Sequence, residues 1–473
     1  MTVNDLFSLT PFLIIAIAPV IIMLVISVIR NYRVVYWFSV VALIFSFCSL
    51  FIISPVVPHA VEPLLIIDNY SLFFSGIIII SALLVTFMSY SYIRRFEGIR
   101  EEYYLAIFTA TLGALLLAAA SHFVILFLGL ETLSISLYIM IAFRKTDSRS
   151  VEAGIKYLIL ASVSSAFLLF GMALIYNASG SMKFSGIIIP EGMNGKLAPM
   201  VLAGFVMMLT GIGFKLALVP FHMWTPDVYQ GAPVPVSAYV ATVSKGAVMA
   251  VLIRLFFTLK GFSDNFLFVI ISILAILSMF IGNILAIRQK NLKRLLGYSS
   301  ISNMGYLVII LLTGTAKGIQ AAVFYLVAYF ITTLGAFGVI SLLSTKDHEA
   351  ENVEDYKGLF WKRPAIALAF TLALLSLAGI PVTAGFIAKF YVILEGINSG
   401  LMVLVLSLVI NSVIGLYYYL RVITVLFSDA GETVLPEIST SGFILLSLIS
   451  CCILVLGIYP SWIIDLIVRF VFL

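Results

Sequence analysis

Four charged residues stand inside long apolar runs of the sequence, where a charge is costly. They are Glu131 in FLGLETLSISLY, Lys215 in GIGFKLALVP, Lys245 in VATVSKGAVM and Lys389 in GFIAKFYV. A lysine at the centre of a bilayer costs about 2.5–3.5 kcal/mol on insertion scales. Ionisable residues inside membrane segments are typical of proton pathways. The pattern therefore predicts a proton relay that consists of these four residues.

A structural reading of the same charges is also open. Glu131 and Lys215 could form an ion pair that holds two helices in register. That reading leaves Lys245 and Lys389 without a buried carboxylate. A lysine buried without a partner must either lose its proton or contact water. The surplus of lysines over acids therefore favours proton transfer over a purely structural role.

Two of the lysines lie beside helix breakers. Pro220 follows Lys215 by five residues, and Pro381 precedes Lys389 by eight, with Gly379 close by. Proline cannot donate to the helical hydrogen-bond ladder, and carbonyls freed inside a membrane need water or polar partners. Interrupted helices in corresponding halves are typical of ion sites in transporters built from inverted repeats. A packing kink is the better explanation for either proline alone, but two breaks, each beside a lysine, favour a functional role.

Further polar residues could carry protons between these sites. His222 follows the Pro220 break, and Lys156 stands at the inner edge of a predicted span. Serine and threonine hydroxyls often only bond back to their own helix, so each alone is weak evidence. Two polar segments, GYSSISNMGY and YFITTLGAFG, supply Tyr298, Ser299, Ser300, Ser302, Asn303, Tyr306, Thr332 and Thr333.

The composition identifies the elements that must position these residues. The chain of 473 residues is 62% hydrophobic and only 10% charged, whereas soluble domains carry about 25% charged residues. Continuous apolar runs exclude a transmembrane barrel, whose strands alternate. We therefore predict an all-α polytopic membrane protein with about fourteen spans of roughly 17–25 residues. The runs lie near 11–29, 35–54, 71–93, 103–120, 123–143, 156–178, 198–219, 236–258, 266–287, 295–313, 319–343, 365–397, 402–427 and 443–471.

Basic residues are distributed unequally between alternate connections. Sixteen Lys and Arg residues fall on one set, from Arg30 to Arg363, and four fall on the other, Lys183, Lys196, Lys260 and Lys317. The positive-inside rule then places both termini outside. The basic inner connections fit a bacterial inner membrane best. The stretch before the first span lacks the basic region of a signal peptide. The charge indicates no nucleic-acid partner. Three cysteines, all in apolar runs, indicate neither disulfides nor a metal site.

Several motifs together resemble one family. They are similar to the antiporter-like membrane subunits of respiratory complex I, the proton-pumping NADH:quinone oxidoreductase, and most of all to the N subunits. The TPDVYQGAP segment favours the N subunits over the L and M subunits and over Mrp-type antiporters. The resemblance covers roughly residues 70–430 and is carried by LFLGLETLSISLYIMIAF, FKLALVPFHMWTPDVYQGAPVPVSAYVATVSKGA, NLKRLLGYSSISNMGYL and LSLAGIPVTAGFIAKFYV.

The resemblance implies two inverted five-helix repeats, each with one broken helix. It implies an N-terminal unit over 1–102, repeats over 103–258 and 259–427, and a C-terminal helix over 428–473. By resemblance Glu131 pairs with Lys215, Lys245 connects the repeats and Lys389 lies nearest the exit. Relatives often carry histidine where this chain has Asn303, so we expect water near that residue to replace a protonatable side chain.

The family also implies how the chain takes part in a larger reaction. FMN, iron–sulfur clusters and quinone are expected in partner subunits, with M-type and K-type subunits as membrane neighbours. This chain has no Gly-rich nucleotide loop, cysteine cluster or haem-ligand pair, so we expect no redox site, cofactor or metal of its own. Two other functions stay open, a sodium/proton antiporter subunit of the Mrp type and a structural membrane subunit whose charges only pair.

Overall fold

The computed structural model describes residues 2–95, 100–187, 199–258, 265–346, 348–429 and 439–471. Within these ranges, 12 helices are long and apolar enough to cross a membrane. The shorter helix Glu102–Ala118 and the interrupted pair Pro364–Ala378 and Ala384–Asn398 bring the crossings to the fourteen that the hydropathy pattern predicts. The chain is an all-α polytopic membrane protein.

The first part of the chain combines three spans with a small hairpin. A capping box in which Thr2 and Asp5 bond reciprocally begins the first short helix. Strands β1 and β2 pair antiparallel, with Ala60 opposite Ile66. The elements are α1 (Val3–Ser8), α2 (Thr10–Val28), α3 (Tyr32–Ile53), a 3₁₀ turn (Ser54–Val56), β1 (His59–Val61), β2 (Leu65–Ile67) and α4 (Asn69–Ile93).

The next group of helices contains the first interrupted span. Its elements are α5 (Glu102–Ala118), α6 (Phe123–Ile141), α7 (Ser148–Ser179), a 3₁₀ turn (Phe184–Gly186), α8 (Pro199–Leu216), α9 (Trp224–Gly231), α10 (Val234–Tyr239), a π-helical turn (Val240–Ser244) and α11 (Lys245–Thr258). Small residues bring these helices close together, as in other membrane bundles. A Cβ added at Gly113 of α5 would lie 2.7 Å from the Gly129 carbonyl of α6.

The second group repeats this plan with an interrupted span near its end. Its elements are α12 (Asn265–Ile287), α13 (Leu292–Thr313), α14 (Ala316–Leu343), a 3₁₀ turn (Val353–Tyr356), α15 (Leu359–Lys362), α16 (Pro364–Ala378), α17 (Ala384–Asn398) and α18 (Met402–Leu426). Helices α10, α11 and α14 are almost wholly buried, whereas α2 and α7 expose most of their surface. The centre of the bundle therefore lies where the two groups meet.

Two predicted spans differ from the structure. Helix α7 begins at Ser148, so Lys156 lies two turns inside it instead of at its first residue. The last predicted span, 443–471, is two helices, α19 (Thr440–Ile458) and α20 (Ser461–Val471), separated at Tyr459 and Pro460. Pro460 explains the second difference, because its ring blocks helix continuation, although the segment remains apolar throughout.

The bundle has two distinct faces. We call one the basic face; it carries Arg30, Arg144 and Lys293, which bond to Glu102, Glu349 and Glu349 respectively. We call the opposite one the hairpin face, because β1 and β2 lie there and the backbone of Ser121 bonds to Leu64. Lys196 and Lys260, two of the four basic residues assigned to the hairpin face by the sequence, lie outside the described residues.

Candidate functional site

The first helix break places Lys215 at the end of α8. Ala217 adopts a left-handed backbone with φ of 61°, a conformation uncommon for a residue with a side chain. The backbone groups freed by the break find partners. The Val219 N–H donates to Ser278 Oγ at 2.9 Å, and Trp224 Nε1 donates to the Phe214 carbonyl at 2.9 Å. The break is therefore fixed by side chains of α9 and α12.

Lys215 bonds to helix α6 through a serine hydroxyl and not through the Glu131 carboxylate of that helix. Its side chain is 4% exposed, and Nζ donates to Ser134 Oγ at 2.5 Å. Glu131, one turn earlier on α6, accepts from Ser165 Oγ at 2.5 Å instead. No Glu131–Lys215 ion pair forms in this conformation, although the carboxylate remains close enough to attract the ammonium group. The pairing implied by the family resemblance is thus absent here, and each of the two residues bonds to a different serine.

Lys245 stands at the meeting point of the two helix groups. It follows the π-helical turn Val240–Ser244, a helix defect frequent at functional sites. Its side chain is fully buried. Nζ donates to Ser300 Oγ of α13 at 2.6 Å, and the Tyr229 ring lies 5.8 Å away. Lys245 therefore connects the first group of helices to the second, as the resemblance implies.

Ser300 joins two tyrosines to Lys245. Its hydroxyl lies 2.6 Å from Tyr329 Oη of α14 and 3.3 Å from Tyr229 Oη of α9. The YFITTLGAFG segment, which begins with Tyr329, was predicted to contribute Thr332 and Thr333, and Tyr329 itself was missed. No periodic signal separates a tyrosine that packs from one that bonds, because both lie on a buried helix face.

The second helix break surrounds Lys389 with main-chain oxygens. Nζ donates to the carbonyls of Leu377 at 3.0 Å and Ala378 at 2.8 Å, and to Ser412 Oγ at 3.1 Å. These carbonyls end α16, where the helix dipole also favours a cation. Val382 has φ of 74°, which a β-branched residue rarely adopts. A Cβ at Gly379 would lie 2.8 Å from the Lys389 side chain.

A narrow cavity separates the Lys245 region from Lys389. Its volume is about 10 Å³, close to the minimum for one water. Tyr325 Oη donates to Asn303 Oδ1 at 2.6 Å, and the Thr332 and Ser376 hydroxyls lie 3.0 Å apart. The residues that line this cavity include Tyr329, Lys389, Asn303, Tyr325, Thr332 and Ser376. Lys245, Ser300, Tyr329 and Lys389 thus follow one polar line with a single gap.

Lys156 lies apart from this line. It bonds to Glu152 at 2.7 Å and to Asp227 at 3.0 Å, and Asp227 also accepts from Arg294 at 2.7 Å. Burial would raise the pKa of Asp227, but the hydrogen bonds from Arg294 and Lys156 lower it overall. Asp227 therefore stays ionised at neutral pH, and Lys156 belongs to a charge cluster on the basic face.

The remaining predicted accessory residues have weaker connections. His222 is buried, and its Nδ1 has no hydrogen-bond partner among the described residues. The same holds for the buried Thr333 hydroxyl. Ser302 donates back to the Ser299 carbonyl at 2.8 Å, and Tyr298 is only partly buried. Within the described residues, none of these four side chains forms a hydrogen bond with a buried lysine.

Sequence reasoning missed a second charge cluster on the basic face. Glu349, in the connection after α14, accepts from Lys293 at 2.9 Å, Arg144 at 3.0 Å and Tyr92 at 3.1 Å. Lys293 is fully buried and also donates to the Ala232 carbonyl. The cluster joins both helix groups. Its acid lies in a polar connection, so neither periodicity nor hydropathy could have identified it.

The arrangement suits proton transfer and little else. Amines and hydroxyls at 2.5–3.3 Å can pass a proton along hydrogen bonds. In the described part of the chain, no three His, Cys, Asp or Glu side chains gather to hold a metal ion. Lys245, Ser300, Tyr329 and Lys389 instead form one buried row, and Lys215 lies buried at the first helix break.

Comparison with known proteins supports this reading. Residues 120–415 match the family model described as NADH:quinone oxidoreductase/Mrp antiporter, TM. The chain is 44% identical to NADH-quinone oxidoreductase subunit N of Methylococcus capsulatus, over 98% of this chain and 95% of that protein. A chain of respiratory complex I from Thermus thermophilus is 32% identical, with a TM-score of 0.84 over 96% of this chain and 98% of that one.

Two solved complexes with lower identity share the fold alone. A chain of the archaeal membrane-bound sulfane sulfur reductase is 24% identical, with a TM-score of 0.85 over 99% of this chain and 97% of its own. A chain of the Mrp complex from a Dietzia species is 18% identical, with a TM-score of 0.86 over 98% of this chain and 96% of its own. The fold is therefore common to assemblies of different names.

Proposed function

We propose that this chain, a member of the NADH:quinone oxidoreductase/Mrp antiporter membrane-subunit family, is the N-type proton-translocating subunit of an NADH:quinone oxidoreductase. The observation that carries the proposal is the buried row in which Lys245 bonds to Ser300, Ser300 to Tyr329, and Tyr329 lines the cavity of Lys389. In a purely structural subunit, three buried lysines without an ion-pair partner would only reduce stability.

The relay would work through changes in charge near Lys215. With Glu131 close, the opposite charge holds the proton on the Lys215 amine. When the two separate, the ammonium group releases its proton through water to the neutral amine of Lys245. The proton then passes by Ser300 and Tyr329, across the one-water gap, to Lys389. Each donor returns to its neutral form and is protonated again from the preceding member.

The driving reaction would lie in other subunits. Electron transfer from NADH through FMN and iron–sulfur clusters to quinone would supply the energy, and this chain would carry no redox site. M-type and K-type subunits would be its membrane neighbours. The positive-inside rule supports the basic face as the inner face of a bacterial inner membrane, with both termini on the outer side.

A second candidate is a subunit of an Mrp-type sodium/proton antiporter. The shared fold with the Mrp chain, at a TM-score of 0.86, favours it as an alternative. The same lysines would then serve proton movement against sodium. The lower identity, 18% against 32% for the complex I chain, and the TPDVYQGAP motif make this function the second choice.

Purification of the tagged chain in mild detergent separates the two candidates. We expect a complex with flavin and iron–sulfur absorbance that reduces quinone with NADH. A colourless complex with sodium-dependent proton exchange would instead identify the antiporter.

Substitution of Lys215 then tests the relay within that complex. In proteoliposomes, Lys215→Ala should lower NADH-driven proton pumping by at least about tenfold, because a positioned proton carrier contributes about 10²–10⁴-fold. Lys156→Ala is the matched control and should pump normally, since Lys156 belongs to the charge cluster on the basic face. Normal pumping by a fully assembled Lys215→Ala complex would rule out the relay.

A further inference from the structure

A buried carboxylate on α17 is not used by the relay described above. Glu395 is 7% exposed. It is buried like Lys389 and Val392 of the same helix, and it lies one turn beyond Val392, since residues three positions apart are neighbours on a helix surface. At a rise of about 1.5 Å per residue, Glu395 is about 9 Å further along the helix axis than Lys389, toward the hairpin face.

Glu395 opens into a cavity. The cavity has a volume of about 190 Å³ and is bounded by the first turns of α14, the last turns of α17 and the helix α20. This space is many times the 10–15 Å³ that one water requires. Its lining contains Gln320 and Lys317 beside apolar residues, among them Ile464 and Ile467 of α20. Lys317 is exposed and lies at the surface of the hairpin face.

Glu395 has little within the protein to stabilise its charge. Among the described residues its only hydrogen bond comes from Asn398 Nδ2, at 3.4 Å. A buried carboxylate without a close cation is costly unless water solvates it or a proton neutralises it. A carboxyl group beside a cavity large enough for water is placed to accept and release protons.

We propose that Glu395 is the proton-release residue of this subunit, and that the cavity beneath α20 is the exit to the hairpin face. The Lys389 ammonium group gives its proton, through water, to the Glu395 carboxylate, which becomes a carboxylic acid. The acid then releases the proton to water in the cavity and returns to the carboxylate. Lys389, left as a neutral amine, is protonated again from the Tyr329 side. This inference rests on the proposed relay through Lys389.

Replacement of Glu395 tests the release step in the assembled complex. Glu395→Gln keeps the shape and removes the exchangeable charge, so NADH-driven pumping should fall by about tenfold. Glu395→Asp should restore at least about half of the pumping, because it restores the carboxyl group. Glu62→Gln is the control: Glu62 is an exposed acid on the same face that pairs with Lys183, and its loss should leave pumping unchanged. Wild-type pumping by Glu395→Gln would overturn the proposal.

Accessibility of the cavity supplies a second, independent test. Gln320→Cys in the assembled complex should react with a membrane-impermeant maleimide added from the hairpin side, as measured by mass spectrometry of this chain. Cys451 of α19 is an internal control that should stay unlabelled in the membrane. No reaction at position 320 would overturn the exit even if Glu395→Gln failed to assemble. If Lys389→Ala lost pumping and Glu395→Gln kept it, the release residue would be wrong while the relay stood.

Discussion

The two interrupted helices hold their lysines in different ways. Lys215 is bound by one side-chain hydroxyl, Ser134, with the Glu131 carboxylate one turn away and occupied by Ser165. Lys389 is bound by two main-chain carbonyls and a hydroxyl, and no acid in the described part of the chain bonds to it. Side chains can change rotamer, whereas carbonyls at a helix end are fixed by the backbone. We therefore propose that the first site switches between partners and that the second receives a proton in a constant geometry.

Among substitutions that keep Glu131 and the buried lysines, the largest expected effect on pumping is at the fixed Lys389 site. Gly379→Ala should lower proton pumping by about tenfold, since proton transfer depends on hydrogen-bond geometry. The new Cβ would lie 2.8 Å from the Lys389 side chain and 3.1 Å from its Nζ. NADH-driven acidification of proteoliposomes measures the effect.

Gly314→Ala is the matched control for this prediction. Gly314 has a similar backbone, φ of 62°, but nothing within 4 Å of its missing Cβ. Both variants should lose about 1–2 kcal/mol of stability from the left-handed backbone, and only Gly379→Ala should lose pumping. Equal pumping by the two variants would show that the position of Lys389 is not critical.

The next largest effect on pumping is expected at the hydroxyl groups that join Lys245 to the Lys389 cavity. Tyr329→Phe removes the only tyrosine that bonds Ser300 and also lines the Lys389 cavity. Pumping should fall about fivefold, which corresponds to about 1 kcal/mol for a lost hydrogen bond. Tyr229→Phe, whose bond to Ser300 is longer at 3.3 Å, should have a smaller effect. The reverse order would place the path through Tyr229.

Two serines provide the most direct contrast between the sites. Ser134→Ala removes the single hydrogen bond of Lys215, and pumping should fall about threefold. Ser412→Ala leaves Lys389 with two carbonyl partners, so pumping should stay within about twofold of wild type. Parallel measurements of initial pumping rates would check both. Equal losses would contradict the distinction between a switchable and a fixed site.

The smallest effect on pumping is expected at the basic face. Glu349→Gln leaves the buried Lys293 without its carboxylate, and breaking a buried ion pair costs about 3–5 kcal/mol. Less complex should assemble and its thermal stability should fall, yet each assembled complex should pump normally. Reduced pumping per assembled complex would show that this cluster takes part in transfer.

The sequence predicted the fold better than the contacts of the site. Hydropathy located all fourteen crossings, because a bilayer requires long apolar helices. The lysines and both helix breaks were also identifiable, since charges and prolines are rare and costly there. The spacing could not show that Lys215 bonds to Ser134 and not to Glu131, because Ser134 and Glu131 lie on adjacent turns of one helix face.

The missed features have physical reasons of their own. The π-helical turn before Lys245 consists of VATVS, a sequence that predicts an ordinary apolar helix. The Glu349 cluster joins a polar connection to residues more than fifty positions away, and only the folded chain brings them together. Tyr329 resembled a packing residue. Tertiary contacts, not local patterns, decide these three cases.

The most direct test of the proposed lysine relay is NADH-driven pumping by an assembled complex that carries Lys245→Ala. Lys245 is fully buried, bonds only to Ser300 among the described residues, and lies where the two helix groups meet. A relay across the bundle has no other lysine at this point. We expect Lys245→Ala to assemble normally and to lower pumping by at least about tenfold, while Lys156→Ala pumps like the wild type. Undiminished pumping by Lys245→Ala would contradict the proposed relay.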